Sequence, residues 1–412
     1  MQAATKTSTF RAFHNRNYSL FFCGQSISQI GTWMQRTAVA WVIYSLTHSA
    51  FMLGVAFFAQ QFPSFLLSLY GGIISDRYSR YKILMVTQSA SMIQAILLAL
   101  LVLTNHYSVL VIMVLSAILG IINAFDVPAR QPMVHDMVND KEDLANALAL
   151  NSAMVNIARM VAPALSGLVL QRWGAGVCFS FNALSFVAVI TSLLLMKFPA
   201  FKPPAVKKNA ITDLKEGFTY LQHTPIISTV MLLLVCLSLF VLPYDTLIPV
   251  FAKVVFSGNA ATFGYISSFI GAGAILGSLF VASLKKGIDL KNILLLAVII
   301  LGVGLLLFSR IANFPIAMVC AVIMGFGSLM PMTIGITIIQ VESAPNMRGR
   351  VMSYVALAYF GMLPLGSLLI GAVSQRTSAP TTMLCQGVMA VIITAIFWRL
   401  FKKKINPAKP EY

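Results

Sequence analysis

The chain has 412 residues and a formal net charge of +17; 58% of its residues are hydrophobic and only 10% are charged. Soluble domains carry about 25% charged residues, so a large soluble enzyme is excluded because too few polar residues remain to cover its surface. Intrinsic disorder is excluded because so much apolar side chain would have to stay in water. The remaining class is an all-α membrane protein with many spans, since the apolar runs are too long for barrel strands.

Twelve apolar runs are long enough to cross a bilayer as transmembrane helices, each of which needs about 20 residues. In chain order the runs cover residues 19–46, 51–74, 83–103, 108–128, 147–171, 177–196, 226–250, 262–284, 292–309, 313–340, 351–374 and 382–401. The longest polar interval follows the sixth run. We therefore predict an N-terminal six-helix half (1–197), a cytoplasmic linker (198–225) and a C-terminal six-helix half (226–412).

The basic residues are distributed unequally between the two sides of these runs. Of the 29 Lys and Arg residues, 23 fall on the side of the N-terminus, four on the opposite side and two inside the runs. Cytoplasmic loops carry such an excess, so both termini are predicted to be cytoplasmic. The positive charge is then a topogenic, lipid-facing signal, and nucleic acid is not an expected partner.

An internal similarity supports the division into two halves. Span five contains Ala162–Gly167 (Ala-Pro-Ala-Leu-Ser-Gly) and span eleven contains Leu363–Ser367 (Leu-Pro-Leu-Gly-Ser). The two prolines, Pro163 and Pro364, are 201 residues apart, which is close to half the chain. Two six-helix pseudo-repeats are typical of secondary transporters.

The loop after span two carries a recognisable motif. Residues 71–82 read Gly-Gly-Ile-Ile-Ser-Asp-Arg-Tyr-Ser-Arg-Tyr-Lys. This resembles the major facilitator superfamily signature G-x-x-x-D-R-x-x-R-x-K, with Gly72, Asp76, Arg77 and Arg80 at matching positions. We predict that these residues act in gating. The glycines of this loop would let two helix ends approach closely, and Asp76 would lie at a helix N-terminus, where the dipole favours a negative charge. An ordinary basic loop is the alternative.

Further segments resemble one branch of that superfamily. Gly24–Gln35, Tyr44–Ser49, Asp126–Gln131 and Asn146–Ser152 look like the enterobactin-exporter/macrolide-efflux branch of drug:proton antiporters. The resemblance runs from about residue 10 to about residue 375. It implies a twelve-helix major facilitator fold in a bacterial inner membrane, and export of small molecules in exchange for protons. It does not identify the substrate.

Span five also resembles the antiporter signature of drug exporters. The matching stretch is Arg159–Gly167, with Ala162 and Ser166 at positions that are usually glycine. Pro163 removes a backbone hydrogen bond and would kink the helix, and Gly167 would allow close helix packing. We predict that Pro163 and Gly167 act in gating, which favours export over import. A kinked helix interface without a transport role is the alternative.

Two arginines fall inside spans, Arg36 in span one and Arg159 in span five. A charge at the bilayer centre costs about 2.5–3.5 kcal/mol even on the milder scale, which makes such residues candidates for function. We predict that both face a central cavity and attract anionic groups of the substrate. Pairing with helix carbonyls or with Asp126, or snorkelling to the interface, is the alternative. Polar and aromatic residues of spans one, four, seven and ten complete the predicted cavity lining, with helix packing as the alternative: Gln29, Trp33, Gln35, Asn123, Tyr244 and Thr337.

Only two carboxylates are closely associated with spans. Asp245 is predicted to couple transport to protons if burial desolvates it; an interfacial helix end is the alternative. Asp126 is predicted to pair with Arg77 or Arg130 and close the cytoplasmic gate, or else to carry a proton. No metal site or cofactor is expected, and without a G-x-x-x-x-G-K-[ST] motif no ATP-driven pump domain is expected.

These observations together predict a transporter rather than an enzyme. The two arginines favour a small amphipathic or anionic, siderophore-like metabolite, exported by proton antiport with alternating access. The expected partners are this substrate, protons and the lipid bilayer, and the chain is expected to be a monomer. The alternatives are a multidrug or macrolide efflux pump, whose cationic substrates a pair of cavity arginines would disfavour, and a lysolipid flippase.

Overall fold

The computed structural model describes residues 10–138, 140–198, 210–285 and 287–405. Within these ranges the chain consists of helices and the turns that join them, and it contains no strand. The predicted all-α class is therefore confirmed for the described part of the chain.

The first half of the chain forms six long helices whose ends lie within six residues of the first six predicted runs. These helices are α1 (Arg16–Thr47), α2 (Ala50–Arg77), α3 (Arg80–Leu103), α4 (Val109–Met133), α5 (Lys141–Trp173) and α6 (Ala175–Leu195). One-turn 3-10 segments, Arg11–His14 and His135–Met137, precede α1 and α5. A buried cluster that includes Tyr18, Leu84 and Leu193 joins α1, α3 and α6.

The second half of the chain forms the remaining helices. They are α7 (Ala210–His223), α8 (Pro225–Phe240), α9 (Ile248–Val250), α10 (Ala260–Ala282), α11 (Leu290–Phe308), α12 (Phe314–Glu342), α13 (Arg348–Arg376) and α14 (Ala379–Ile405). A 3-10 segment, Leu242–Leu247, separates α8 from α9, and a π-helical turn, Phe251–Val255, follows α9.

Eleven helical segments in the described part of the chain are long and apolar enough to cross a membrane. The first predicted span, α1, is not among them, although it is 32 residues long. Its sequence includes Gln25, Gln29, Gln35 and Arg36. These polar residues lower the average apolarity of α1. Three of them, Gln29, Gln35 and Arg36, are also predicted to bind substrate.

The seventh span is interrupted where a single continuous run was predicted. Pro243 and Pro249 lack the N–H group that an α-helix needs at these positions, and the chain passes through 3-10 and π-helical turns here. One carbonyl next to the break is satisfied by a neighbouring helix, because Gln386 Nε2 donates to the oxygen of Val241 at 3.3 Å. Such repair by neighbours is how membrane helices tolerate a break.

The predicted linker contains a helix that its polar composition did not indicate. Residues 199–209 of the linker lie outside the described ranges, so its last part, from residue 210, is the main part that the structure describes. There α7 packs on the start of α13: the rings of Phe218 and Tyr354 lie 6.2 Å apart, and Arg350 forms a salt bridge with Glu216. The segment before α13 is also held, because Ala344 N–H donates to the Tyr220 hydroxyl at 3.1 Å.

The helices assemble into two compact units. Unit one contains the described residues of Met1–Val39 and Leu66–Ala205, and unit two contains those of Ala40–Phe65 and Val206–Tyr412. The end of α1 and the first part of α2 thus belong to unit two, although the sequence predicts that they belong with the N-terminal half.

Close packing between α2 and α13 accounts for this division. A Cβ atom on Gly54 would lie 2.5 Å from the carbonyl oxygen of Ser367, and one on Gly371 would lie 2.7 Å from that of Ala50. Only glycine permits two helix backbones to approach this closely. The first part of α2 is therefore fixed to α13 within unit two.

Candidate functional site

Three of the predicted substrate-binding residues lie together in unit one. The guanidinium carbon of Arg36 is 5.0 Å from the centre of the Trp33 ring, and that of Arg159 is 5.8 Å from it. Both distances fall within the cation–π range of about 6 Å. One indole therefore contacts two cations that come from different helices, and we call Trp33, Arg36 and Arg159 the Trp33 cluster.

Helical spacing explains the contribution of α1 to this cluster. Gln29, Trp33 and Arg36 follow one another at intervals of four and three residues, so they share one face of the helix. All three side chains are partly buried. Arg36 lies about 30 Å along a helix that is about 48 Å long at 1.5 Å per residue. The cluster is therefore remote from both ends of α1.

The second arginine reaches the same region from α5. Arg159 is about 27 Å from the start of α5, a depth similar to that of Trp33 on α1. Seven residues further along the same face, buried Ser166 donates from Oγ to the carbonyl oxygen of Met34 at 3.0 Å. This bond holds α5 against α1 beside Trp33. The predicted gating residues Pro163 and Gly167 are buried next to it, and α5 continues through Pro163.

Gln35 lies on another face of α1, in a polar network. Its Nε2 donates to Oε1 of Gln94 at 3.1 Å, and its Oε1 accepts from Nδ2 of Asn182 at 2.8 Å. Gln94 in turn donates to the carbonyl oxygen of Leu115 at 3.2 Å. The amide of Gln35 thus links α1 to α3 and α6, as the helix-packing alternative expects. Its role in substrate binding stays a prediction.

A second buried network surrounds Asp126, which is only 3% exposed. Its Oδ1 accepts from Thr87 Oγ1 at 2.9 Å and from Gln88 Nε2 at 2.7 Å. Its Oδ2 lies 3.3 Å from Nε of Arg130. Arg130 also donates from Nη1 to Oε1 of Gln25 at 3.2 Å. Of the two partners that the sequence offered for this carboxylate, the structure places Arg130 beside it.

The superfamily signature adopts a different local structure from the one expected. Asp76 lies in the last turn of α2, which ends at Arg77, and not at a helix N-terminus. Both side chains are exposed. Arg80 pairs with Asp136, with Nη1 and Oδ2 3.1 Å apart. A Cβ atom on Gly72 would have no neighbour within 4 Å, so Gly72 is not the glycine of close approach.

That role belongs to the preceding glycine, Gly71. A Cβ atom on Gly71 would lie 1.9 Å from the carbonyl oxygen of Ala124. Ser75 Oγ donates to the carbonyl oxygen of Pro128 at 3.0 Å, one turn further along both helices. Together these contacts fix the end of α2 against α4 by backbone packing rather than by charge.

The remaining predicted residues lie on other elements than the Trp33 cluster. Asn123 is partly buried on α4. Tyr244 and Asp245 belong to unit two, in the 3-10 segment after α8; Tyr244 is buried and Asp245 is exposed. The desolvation that the coupling hypothesis requires at Asp245 is therefore absent here, and its coupling role stays a prediction. Thr337 on α12 is partly buried, and its hydroxyl donates to Thr333 at 2.9 Å.

Sequence reasoning did not single out the partners of these networks. Gln25, Gln94 and Asn182 are each at most 3% exposed. The available signal was the occurrence of amide side chains inside apolar runs, where unpaired polar groups are costly. Among the described residues, no group of three or more His, Cys, Asp or Glu residues is arranged to hold a metal ion.

Comparison with known proteins identifies the class. The model of the family described as transmembrane secretion effector, within the major facilitator superfamily, matches residues 7–409, and the chain belongs to this family. The predicted superfamily is thus confirmed. Solved structures agree on the fold: a nucleoside transporter, NupG, has a TM-score of 0.73 at 14% identity, covering 94% of this chain and 99% of its own. A POT family transporter in complex with 5-aminolevulinic acid has a TM-score of 0.76 at 13% identity, covering 95% and 97%.

Curated relatives narrow the family further. The staphyloferrin A transporter of Staphylococcus aureus (strain NCTC 8325 / PS 47) is 27% identical over 388 residues, which cover 93% of this chain and 96% of the relative. The enterobactin exporter EntS of Escherichia coli O1:K1 / APEC is 24% identical over 373 residues, covering 90% and 88%. Both relatives are siderophore transporters of the major facilitator superfamily. The chain is thus a multi-span membrane protein of a bacterial transporter family.

Proposed function

We propose that the protein is a secondary transporter that exports a small anionic, siderophore-like metabolite from the bacterial cytoplasm in exchange for protons. The observation that carries the proposal is the Trp33 cluster, in which two guanidinium groups meet one indole. The protein acts as a monomer in the inner membrane with both termini in the cytoplasm. The siderophore transporters among its relatives support the substrate class.

The positive charge of the Trp33 cluster favours a negatively charged substrate. Guanidinium groups bind carboxylates and other planar oxyanions through charge-assisted, often bidentate hydrogen bonds. The indole adds an aromatic face on which a planar group can stack. A hydrophobic cation would be repelled by Arg36 and Arg159, which argues against the multidrug alternative. An anionic lysolipid would also satisfy the arginines, so the flippase alternative must be separated by experiment.

The substrate's charge also favours export as the direction of transport. A membrane potential of 100 mV is worth about 2.3 kcal/mol per elementary charge. When the cytoplasm is negative, this potential drives an anion outward and a proton inward. Exchange of an anion for a proton would therefore gain from both movements, whereas uptake of the anion would have to work against the potential.

Twelve spans form part of this proposal, with α1 as the first. Its 32 residues extend about 48 Å, which exceeds the hydrocarbon thickness of about 30 Å. Two of the polar side chains that lower its apolarity are buried among neighbouring helices, since Gln25 is 3% exposed and Gln35 is 2% exposed. Buried polar residues inside a helix bundle are the arrangement that membrane transporters use.

Proton coupling is assigned to Asp126, with Asp245 as the second candidate. Asp126 is a buried carboxylate whose charge is balanced by Arg130. Protonation would remove that balance and free Arg130 to change partners, which would give the two protonation states different preferred conformations. If the two six-helix halves move against each other in alternating access, the contact of Gly54 with Ser367 would have to open, because it joins α2 of the first half to α13 of the second.

The test compares a deletion strain with its parent, grown with and without iron, by mass spectrometry of cells and medium. We expect an anionic metabolite to accumulate in the deletion cells and to disappear from their medium under iron limitation. Plasmid-borne wild type should restore its export, and Arg36→Gln should not. Arg172→Gln is the matched control, since Arg172 stacks on Trp173 at 5.5 Å in the last turn of α5. An unchanged metabolite profile would contradict the proposal and favour drug efflux or lipid flipping.

A further inference from the structure

A cleft of about 1080 Å³ lies on unit one, apart from the Trp33 cluster. It is bounded by the end of α2, the first part of α3, the middle of α4 and residues 196–198 after α6. Binding sites for small molecules usually enclose about 300–1,000 Å³, so this cleft is large enough for an amphiphile. None of the residues assigned to substrate binding lines it.

The inner part of the cleft is apolar, and aliphatic side chains beside it are exposed. Val86 on α3 is 68% exposed and Ile121 on α4 is 42% exposed. Both helices are candidate membrane spans, so in a bilayer these exposed aliphatic side chains would be available to acyl chains. Ile122 and Phe125 extend the apolar lining along α4.

The rim of the cleft is cationic. Arg77, Lys82 and Lys197 line it, all three are exposed, and no Asp or Glu is among the lining residues. Within the part of the chain that the structure describes, none of the three forms a salt bridge. An anion at this rim would therefore meet three cations without competing with a carboxylate.

The rim is held in place by specific contacts. Asn17 on α1 clamps the backbone of Lys197: its Nδ2 donates to the carbonyl oxygen at 2.8 Å, and its Oδ1 accepts from the N–H at 3.2 Å. The next residue, Phe198, lies 5.9 Å from the ring of Tyr81. Lys197 is therefore fixed at its backbone although its side chain is in solvent.

We propose that this cleft binds an anionic phospholipid of the cytoplasmic leaflet. The phosphate lies among Arg77, Lys82 and Lys197, and an acyl chain runs along Val86, Ile121 and Phe125. Juxtamembrane basic residues attract anionic lipids with about 1 kcal/mol each, which corresponds to about fivefold in affinity per cation. The inference uses the cytoplasmic orientation of this end of the bundle proposed above, but it does not depend on the transported substrate.

The test is native mass spectrometry of the purified protein, titrated with phosphatidylglycerol or phosphatidylcholine of the same chain length. We expect the wild type to bind one phosphatidylglycerol at least about tenfold more tightly than phosphatidylcholine. The double variant Lys82→Gln/Lys197→Gln should lose this preference. Its affinity for phosphatidylglycerol should fall by about 25-fold if each lysine contributes its full fivefold. The matched control, Lys285→Gln/Lys291→Gln, removes the same charge from the loop before α11 and the first turn of α11, and should keep the preference. Equal binding of both lipids by the wild type, or an equal loss in the control, would overturn the proposal.

A second arm examines the acyl chain. Ile121→Trp should fill the cleft and weaken phosphatidylglycerol binding without changing the charge; its melting temperature and elution volume check that it is folded. Glycerol 3-phosphate, added in excess, should not displace the lipid. Displacement by glycerol phosphate would mean that the rim is only an anion site. Displacement of the lipid by the exported metabolite would make the cleft a substrate site. Either result would refute the lipid assignment, and neither bears on whether export itself occurs.

Discussion

The helices α1–α6 and the helices α8–α14 bury different kinds of polar side chain. The first group buries seven amide or acidic residues: Gln25, Gln35, Gln88, Gln94, Asp126, Asp143 and Asn182. Among the described residues of the second group, Gln386 is the only buried amide or acidic residue. The other buried polar residues there are Ser and Thr. Buried amides and acids are costly unless they are paired, and those of the first group are concentrated in networks that join its helices.

The second group is instead joined by close packing. A Cβ atom on Gly325 of α12 would lie 1.9 Å from the carbonyl oxygen of Ile270 on α10, and one on Gly273 would lie 2.0 Å from that of Val322. Backbones this close gain from van der Waals contact, which is the main source of helix association in lipid. The comparison suggests that recognition is built into α1–α6, while α10 and α12 form a rigid pair.

The largest effect should come from breaking that rigid pair. Gly325→Leu places a side chain where the backbone of Ile270 already lies, so we expect more than about 3 kcal/mol of destabilisation, or loss of folded protein. Thermal unfolding in detergent, followed by size-exclusion chromatography, measures it. Gly349→Leu is the control, because a Cβ atom there has no neighbour within 4 Å. Equal stability of the two variants would show that close packing does not hold α10 to α12.

The next effect should come from the Asp126 network. Asp126→Asn leaves Arg130 without a carboxylate partner, and we expect a loss of about 2–3 kcal/mol in stability. If Asp126 couples protons, substrate export should also stop responding to an imposed pH gradient in everted vesicles. Asp136→Asn is the control, since its pair with Arg80 is exposed. A variant that retains the full pH response would remove Asp126 from coupling.

Substitution of Gln35 tests whether this residue of α1 serves helix packing or substrate recognition. Gln35→Leu removes the hydrogen-bond partner of Gln94 Oε1 and that of Asn182 Nδ2, and we expect about 1–3 kcal/mol of destabilisation. Adding Asn182→Leu should recover part of it, because an apolar pair leaves fewer unsatisfied groups. The KM for export should not change. A raised KM without a stability loss would instead support the predicted contact of Gln35 with substrate.

The smallest effect should come from the helix α7. The salt bridge between Glu216 and Arg350 is partly exposed, and such pairs contribute up to about 1 kcal/mol. We therefore expect Glu216→Gln to lower stability by less than that amount and to leave export unchanged. The melting temperature checks the first expectation and vesicle uptake the second. A loss of export at unchanged stability would assign α7 a role in transport.

The sequence was sufficient for the features that depend on long patterns. The twelve apolar runs predicted the long helices α1 to α6 and α10 to α14 to within six residues, and they located the seventh span without its break. The family resemblance was also correct, because it rested on several separate motifs. The intramembrane arginines stood out because charge is so rare in spans, and the structure brings Arg36 and Arg159 to one indole.

Features that depend on neighbours in space were not predictable in this way. Polar composition indicates a linker, but α7 forms because Phe218 and Glu216 find partners on α13. Two adjacent glycines, Gly71 and Gly72, are equivalent in sequence, and only the position of α4 decides which of them is in close contact. The partner of Asp126 likewise depended on the packing of α1, α3 and α4 around it.

The most direct test of the central claim is uptake of the exported metabolite into everted membrane vesicles. Wild type, Arg36→Gln, Arg159→Gln and the control Arg172→Gln would be compared at equal amounts of protein. Loss of a hydrogen bond to a charged group costs about 1.5–3 kcal/mol, so each cluster variant should raise the KM by about 10- to 150-fold. The control should match the wild type. An unchanged KM in both cluster variants would contradict the assignment of the Trp33 cluster as the substrate site.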